Sequence, residues 1–325
     1  MTPFALSLVV LGVLAHFLPE WTRPDFFFGV TIDPALRLSD AGRHVTRSYR
    51  TILWTATIAA IPILLTTGPW EAALVQAGGF LVALSVAHRR VLVYAAAPPT
   101  TIEVDLHAPT EKFPGGILAA LVPLLSSALL AWWASRHWDQ LPLRIPTHIG
   151  LHGADRWVTR TTAGVYGFIG AQAALSMLCV LSAWGILHWS RRLSGRKADA
   201  ALDRRFRSVN VDLFLAVAYL LAGAAWISLL KPEAAGLIGV AVMALIVVWY
   251  LLLIQLNRRT TTAALGDRTP DACWKLGMFY VNRADPSFFV AKRFGIGYTV
   301  NFGNRWAWVA LGAILIAAVS RSLVR

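Results

Sequence analysis

Long uncharged apolar runs alternate along the chain with polar or basic connections. A helix that crosses a bilayer needs about 20 apolar residues, and eight runs approach or reach that length. The predicted spans are Phe4–Leu18, Thr51–Thr67, Ala72–Ala87, Pro114–Ala134, Ala163–Trp189, Val209–Leu230, Ala235–Leu256 and Trp306–Ser320, of which the first and last are the shortest. The pattern predicts an all-α polytopic membrane protein of about eight transmembrane helices. We expect residues 1–325 to form a single integral membrane domain.

The composition excludes other classes of protein. Hydrophobic residues make up 57% of the 325 and charged residues only 14%, whereas a soluble domain carries roughly a quarter charged residues. Disorder and a disulfide scaffold are equally excluded, because the apolar runs are long and the two cysteines, Cys179 and Cys273, lie in opposite kinds of segment. No cationic residue precedes Phe4, so a cleaved signal peptide is not expected.

The formal charge of +13 is distributed unevenly between the connections. Of the 30 Lys and Arg residues, 23 lie in one set of alternate loops, 20–50, 88–113, 190–208 and 257–305. Basic loops are retained on the cytoplasmic side of membranes. The sequence therefore predicts a multi-pass protein of the bacterial cytoplasmic (inner) membrane with both termini extracytoplasmic. It predicts the lipid bilayer, and not nucleic acid, as the partner of the basic residues.

Short strand-like stretches interrupt the predicted inside loops. They are Phe26–Ile32, Thr101–Leu106 and Phe288–Phe302. The second alternates apolar and polar residues, which is the period of a half-buried strand. We expect these stretches to pair into a small cytoplasmic β-element, with 257–305 as a cytoplasmic C-terminal loop segment. Alternatively, or in addition, the aromatic and basic residues of that last loop lie on lipid headgroups.

Residues 135–162 form the one predicted extracytoplasmic loop that is rich in candidate chemistry. Its candidate ligand-binding residues are Arg144, Pro146, His148, His152, Asp155 and Arg156. The four-residue spacing of His148 and His152 would suit zinc on a helix, but the prolines and glycines of this loop disfavour a helix. Metal binding at His148 and His152 thus depends on the loop fold. The alternatives are that His148 hydrogen-bonds within a rigid loop and that Asp155 and Arg156 form a surface ion pair.

Asp212 is the ionisable residue that we predict inside a span, beside Asn210 and downstream of Arg204, Arg205 and Arg207. A charged group in hydrocarbon costs on the order of 2.5 kcal/mol or more. Asp212 is therefore either a membrane-interior polar residue with a partner or an acidic residue near a helix start, stabilised by the helix dipole.

Two motifs carry a resemblance to a known group. The first reads Leu141-Pro142-x-Arg144-Ile145-Pro146-Thr147-His148 and then Gly153-x-Asp155-Arg156-Trp157. It resembles the Pro-x-His and Gly…Asp signature of the SdpI-like bacterial membrane proteins, although Ile149-Gly150 stands where an aromatic-Asn pair is frequent in that group. The second, Trp274-Lys275-x-Gly277-x-Phe279-Tyr280 with Lys292-Arg293-Phe294-Gly295-x-Gly297, is similar to a C-terminal segment of longer relatives. The resemblance implies immunity towards a killing peptide.

Three functional hypotheses follow. The first is a non-enzymatic immunity or receptor-type protein that binds an extracellular peptide or envelope component through 135–162. The second is a membrane-embedded metal-assisted enzyme using His148 and His152 with Asp155 or Asp139, for which a catalytic metal needs about three protein ligands. The third is a small-molecule or lipid transporter, although no internal repeat supports it. We favour the first, with no cofactor, and zinc only under the second.

Overall fold

The computed structural model describes residues 3–96, 113–150, 153–190, 200–258, 267, 269–295 and 297–323. Its long helices are α1 (Pro3–Trp21), α2 (Asp40–Thr66), α3 (Pro69–Val91), α4 (Gly116–Arg136), α5 (Thr162–Trp189), α6 (Ala200–Leu230), α7 (Ala235–Arg258) and α8 (Arg305–Leu323). The strands are β1 (Phe26–Phe27), β2 (Val30–Thr31), β3 (Arg144–Gly150), β4 (Gly153–Thr159), β5 (Trp274–Lys275), β6 (Phe279–Tyr280), β7 (Phe289–Ala291) and β8 (Tyr298–Val300).

Helices α1 to α6 are the six in the described part of the chain that are long and apolar enough to cross a membrane. This confirms a mostly helical protein with several membrane-crossing helices. Helix α7 contains a shorter apolar stretch, Val240–Leu256, so the count of eight spans stays a prediction. Helix α2 begins at Asp40, well before the predicted span at Thr51, because Ser39 caps it by accepting a hydrogen bond from the Gly42 amide.

The strands form four separate two-stranded antiparallel sheets among the described residues: β1–β2, β3–β4, β5–β6 and β7–β8. Two of them fall in the stretches predicted to be strand-like, Phe26–Ile32 and Phe288–Phe302. Each stretch closes on itself as a hairpin rather than joining a common sheet. The remaining stretch, Thr101–Leu106, lies outside the described residues.

The chain divides into two compact units. Unit 1 comprises Met1–His107, Trp189–Asp203 and Leu253–Arg325, and unit 2 comprises Ala108–His188 and Arg204–Leu252. The core of unit 1 joins the first three helices to β1–β2 and the C-terminal segment, with Phe28, Tyr49, Leu84 and Phe294 among its buried residues. That residues 1–325 form one integral membrane domain stays a prediction.

At one end of unit 1, β1–β2 and β5–β8, with their described connections, pack together; we call this assembly the cap. The rings of Phe28 and Phe294 stack with centroids 5.5 Å apart. Gly29 and Gly277 face each other with positive φ angles of 81° and 72°. A Cβ on Gly29 would lie 2.1 Å from the Gly277 carbonyl oxygen, so this contact requires glycine. Two predicted inside loops, 20–50 and 257–305, therefore meet on one face of unit 1.

Candidate functional site

Residues 144–150 and 153–159 of the motif loop form the antiparallel strands β3 and β4 of a hairpin, and the two strands lie between α4 and α5 along the chain in unit 2. Prolines and glycines disfavour a helix here, while Ile145, Thr147 and Val158 favour strands. Pairing runs from Arg144 opposite Thr159 to Gly150 opposite Gly153, with register shifts on both sides of His148. Such bulges re-aim side chains next to sites.

The base of this hairpin is fixed to the helices. Ile145 is fully buried, in a cluster that includes Leu141 from the hairpin base and Leu229 from the last turn of α6. One guanidinium nitrogen of Arg160 donates to the carbonyl oxygens of Trp138 at 3.2 Å, Asp139 at 2.9 Å and Leu141 at 3.1 Å. These contacts anchor the base of the hairpin in unit 2.

His148 and Asp155 meet on this hairpin, because His148 Nδ1 lies 2.6 Å from Asp155 Oδ1. Their side chains are 56% and 54% exposed. The hydrogen bond from His148 lowers the pKa of Asp155 below its ordinary value, so the carboxyl is ionised at neutral pH and accepts this bond. The pair is therefore both oriented and accessible to solvent.

The other candidate residues occupy different environments. Arg144 and Arg156 are exposed, Pro146 is buried, and Asp139 is exposed near the hairpin base. Asp155 bonds His148 rather than Arg156 in the described structure, which matches the alternative of a hydrogen-bonded His148. His152 lies outside the described residues.

Zinc at this hairpin stays a prediction. Among the described residues, no group of three or more His, Cys, Asp or Glu side chains is placed to hold a metal ion. His148 and Asp155 would supply two donors, and a catalytic zinc needs about three protein ligands.

Asp212 lies in α6, which begins at Ala200. It is exposed and accepts a hydrogen bond from Ser208 Oγ at 3.2 Å. Asn210 is buried and donates to the Phe206 carbonyl at 2.7 Å. These contacts are local to the first half of the helix, and whether Asp212 has a role inside the membrane stays a prediction.

Sequence reasoning missed a buried ion cluster in the cap. Arg293, one of the basic residues of 257–305 for which a headgroup surface is the alternative, has a side chain only 1% exposed and pairs with Asp267 Oδ1 at 2.9 Å. It also pairs with Asp271 and donates to the Gly29 carbonyl at 3.2 Å. Phe26 and Trp274 flank the guanidinium at 4.9 and 5.3 Å from the ring centroids. Arg293 thereby joins loop 257–305 to loop 20–50.

The electrostatics of this cluster are those of a buried ion pair. Burial alone would raise the pKa of Asp267, but the adjacent Arg293 guanidinium and the Thr269 hydrogen bonds hold it below the ordinary value. Burial opposes the charge of Arg293 as well, and the two aspartates raise the pKa of its guanidinium. Burial lowers the pKa of the neighbouring Lys292. In the sequence, the feature that accompanies this buried cluster is that Arg293 is followed by an aromatic residue and a glycine, Phe294 and Gly295.

Comparison with known proteins gives one match. A model for a family of unknown function, DUF5808, matches residues 283–308, which include β7, β8 and the start of α8. No curated protein and no solved structure matches the chain. The helices and this match together define a multi-pass membrane protein with a C-terminal segment similar to a family of unknown function. The likeness to SdpI-like proteins rests on the motifs alone.

Proposed function

We propose that this chain is a non-enzymatic SdpI-like immunity or receptor-type protein that binds an extracellular peptide or envelope component through residues 135–162. The observation that carries the proposal is the exposed His148–Asp155 pair on a hairpin anchored by Ile145 and Arg160. The pair presents Nε2 of an oriented imidazole and a carboxylate oxygen to a peptide. Because its base is fixed, binding would cost little ordering of the hairpin.

The surface around the pair supports recognition of a peptide. Trp157 is 46% exposed on β4, and Leu143, which directly precedes β3, is 72% exposed. Arg144 and Arg156 are exposed on the same two strands. Aromatic and arginine side chains are enriched among the residues that dominate binding energy. This mixture suits a peptide that presents apolar and charged groups together.

The proposed orientation places the hairpin outside the bacterial cytoplasmic membrane and the cap inside. The excess of Lys and Arg in the alternate loops supports this orientation. The partners are then the bilayer and an extracellular peptide or envelope ligand.

A protection assay tests the function. Cells producing the wild-type chain are challenged with a purified killing peptide of the kind that SdpI-like proteins neutralise, and the peptide concentration that halves survival is measured. We expect the double variant His148→Ala, Asp155→Ala to lose at least about tenfold of protection, as for two binding residues of about 1 kcal/mol each. The matched control is Gln140→Ala, an exposed residue of the same loop.

The outcomes separate binding from folding and from catalysis. The purified double variant should unfold at the wild-type temperature, because both side chains are half-exposed. Normal protection by that variant, or none by the wild type, would contradict the proposal. Elemental analysis adds a second readout: stoichiometric zinc that is lost with His148→Ala would favour the metal-assisted enzyme.

A further inference from the structure

An open cleft of about 640 Å³ lies in unit 1 between the end of α1, the turn before α2 and the first half of α2. Its lining includes four arginines, one acidic residue and one tryptophan: Arg37, Arg43, Arg47, Arg50, Glu20 and Trp54. The lining therefore carries a formal charge of +3. An anion is the ligand class that this charge favours.

The arginines follow one face of α2. Arg43, Arg47, Arg50 and Trp54 succeed each other at intervals of four, three and four residues, which is the spacing of neighbours on a helix surface. The same face continues with Ile58, which is 63% exposed. The helix thus presents guanidinium groups, then an indole, then an apolar surface. This order matches a lipid molecule from headgroup to acyl chain, with tryptophan at the interface.

Internal partners neutralise only part of the positive charge. Arg50 pairs with Glu20, and Arg43 pairs with Asp40 at 2.7 Å. Arg47 is exposed, and within the described ranges its guanidinium makes no hydrogen bond or ion pair. Nε of Arg50 is buried and has no hydrogen-bond acceptor among those residues. The cleft therefore keeps donors and charge that a ligand would use.

Like Arg47, Arg37 adds a positive charge to the cleft that is not paired with a carboxylate within the described residues. Its guanidinium donates to the backbone carbonyl oxygens of Pro19 at 3.0 Å, Arg23 at 2.7 Å and Phe26. Burial lowers the pKa of Arg37 to about 10, so the side chain is still charged at neutral pH. Arg37 forms a fixed wall of the cleft, and Arg47 is the side chain free to close on a ligand.

We propose that this cleft binds the phosphate group of an anionic membrane lipid. Guanidinium groups match phosphate oxygens in charge and in fork geometry. A free phosphate ion presents the same oxygens but gains nothing from Trp54 and Ile58. A zwitterionic lipid brings its own positive charge into a cleft that is already cationic. The ligand class is thus a lipid with net negative charge.

Thermal unfolding of the full chain in a neutral detergent tests the site. Phosphatidylglycerol or phosphatidylcholine is added, and the lipid fraction that gives half of the stabilisation is measured. We expect phosphatidylglycerol to raise the unfolding temperature and phosphatidylcholine to leave it unchanged. Arg47→Gln should raise the half-saturating fraction about fivefold, which corresponds to about 1 kcal/mol for one arginine at an anionic surface.

The matched control is Arg89→Gln, which removes the same charge from an exposed position in the last turn of α3, outside the cleft. We expect it to respond like the wild type. Equal responses of the two variants would overturn the proposal, because total charge rather than the cleft would then govern binding. The third condition is inorganic phosphate alone. The lipid assignment would be overturned if phosphate stabilised the wild type but not Arg47→Gln, and if phosphatidylglycerol then had no further effect. The cleft would in that case be a site for free phosphate.

Discussion

At the residue scale, the guanidinium of Arg293 links the segments that form the cap. It contacts Asp267, Asp271 and the Gly29 carbonyl, which come from two segments more than 200 residues apart. Removing one partner of a buried ion pair leaves the other charge without compensation. Arg293 is therefore a contact on which the cap depends, beside the stacked rings of Phe28 and Phe294.

We predict that Arg293→Gln opens the cap. Loss of a buried charge partner costs about 3–5 kcal/mol, which corresponds to roughly a hundredfold or larger increase in the open population. Cys273, half-buried in the turn before β5, reports this opening through its rate of thiol labelling in a Cys179→Ser background. Arg283→Gln is the control, since Arg283 is exposed in the same segment. Equal labelling rates in both variants would contradict the prediction.

The same cluster predicts an acid limit to stability. The folded-state pKa of Asp267 is lowered chiefly by Arg293, against the opposing effect of burial. A carboxyl with a lowered folded pKa stabilises the fold above its unfolded pKa, which is about 3.9 for aspartate, and that stabilisation is lost as the pH falls through the folded pKa. We expect the ionised Asp267 to stabilise the wild type equally from pH 7 to about 5. Below about pH 4 this stabilisation, measured as the unfolding temperature, should fall. The pH dependence below pH 4 should be weaker in Arg293→Gln.

Residue chemistry was predictable where it depended on local sequence. His148 and Asp155 were candidates because histidine and aspartate stand close together in a polar loop, and the hairpin brings them to 2.6 Å. Arg293 was not predictable in the same way. Its partners Asp267 and Gly29 come from distant segments, and no local pattern distinguishes a basic residue that is buried from one that lies on headgroups.

At the element scale, two adjacent glycines of α3, Gly78 and Gly79, have different surroundings, because only Gly79 packs closely against α2. A Cβ added to Gly79 would lie 2.0 Å from Ala56 Cβ on α2, whereas a Cβ on Gly78 meets nothing within 4 Å. The sequence Ala77-Gly78-Gly79 predicts close approach of a neighbouring helix, and Gly79 is where this approach occurs. Which of the two glycines faces α2 depends on the rotation of the helix, which composition does not determine.

We predict opposite effects of alanine at these two positions. Gly79→Ala should destabilise the folded chain by about 1–3 kcal/mol, because the added methyl group overpacks the contact between α2 and α3. Gly78→Ala should be neutral or stabilising by up to about 1 kcal/mol, since alanine has the higher helix propensity. Thermal unfolding in one detergent compares the pair directly. A larger loss from Gly78→Ala would show that the helix faces are assigned wrongly.

Helix positions were predictable because apolar runs of span length admit few other structures, but helix starts were not. Helix α6 begins at Ala200 rather than at the predicted Val209. A search for apolar runs identifies only the apolar part of a helix. It does not detect a polar first turn such as that of α6, which contains Asp203. The two-residue strands β5 and β6 were likewise missed, because so short a pair shows no alternation that a pattern could detect.

At the scale of the whole molecule, contacts between segments that are distant in sequence hold each unit together. In unit 1 the cap joins loops 20–50 and 257–305, and Nδ1 of His88, at the end of α3, donates to the Phe28 carbonyl oxygen at 2.9 Å. The backbone of Phe288 bonds the Trp189 carbonyl, also at 2.9 Å. In unit 2 the hairpin base packs on Leu229, at the end of α6.

The orientation itself gives the last prediction. Basic loops are held in the cytoplasm, so the cap should lie inside and the hairpin loop outside. In a background of Cys179→Ser and Cys273→Ser, Gln140→Cys should react with a membrane-impermeant maleimide on intact cells, and Arg283→Cys only after lysis; both positions are exposed. Labelling of both in denatured protein controls for thiol reactivity. If Arg283→Cys reacts on intact cells and Gln140→Cys does not, the hairpin faces the cytosol, and an extracellular ligand for His148 and Asp155 is excluded.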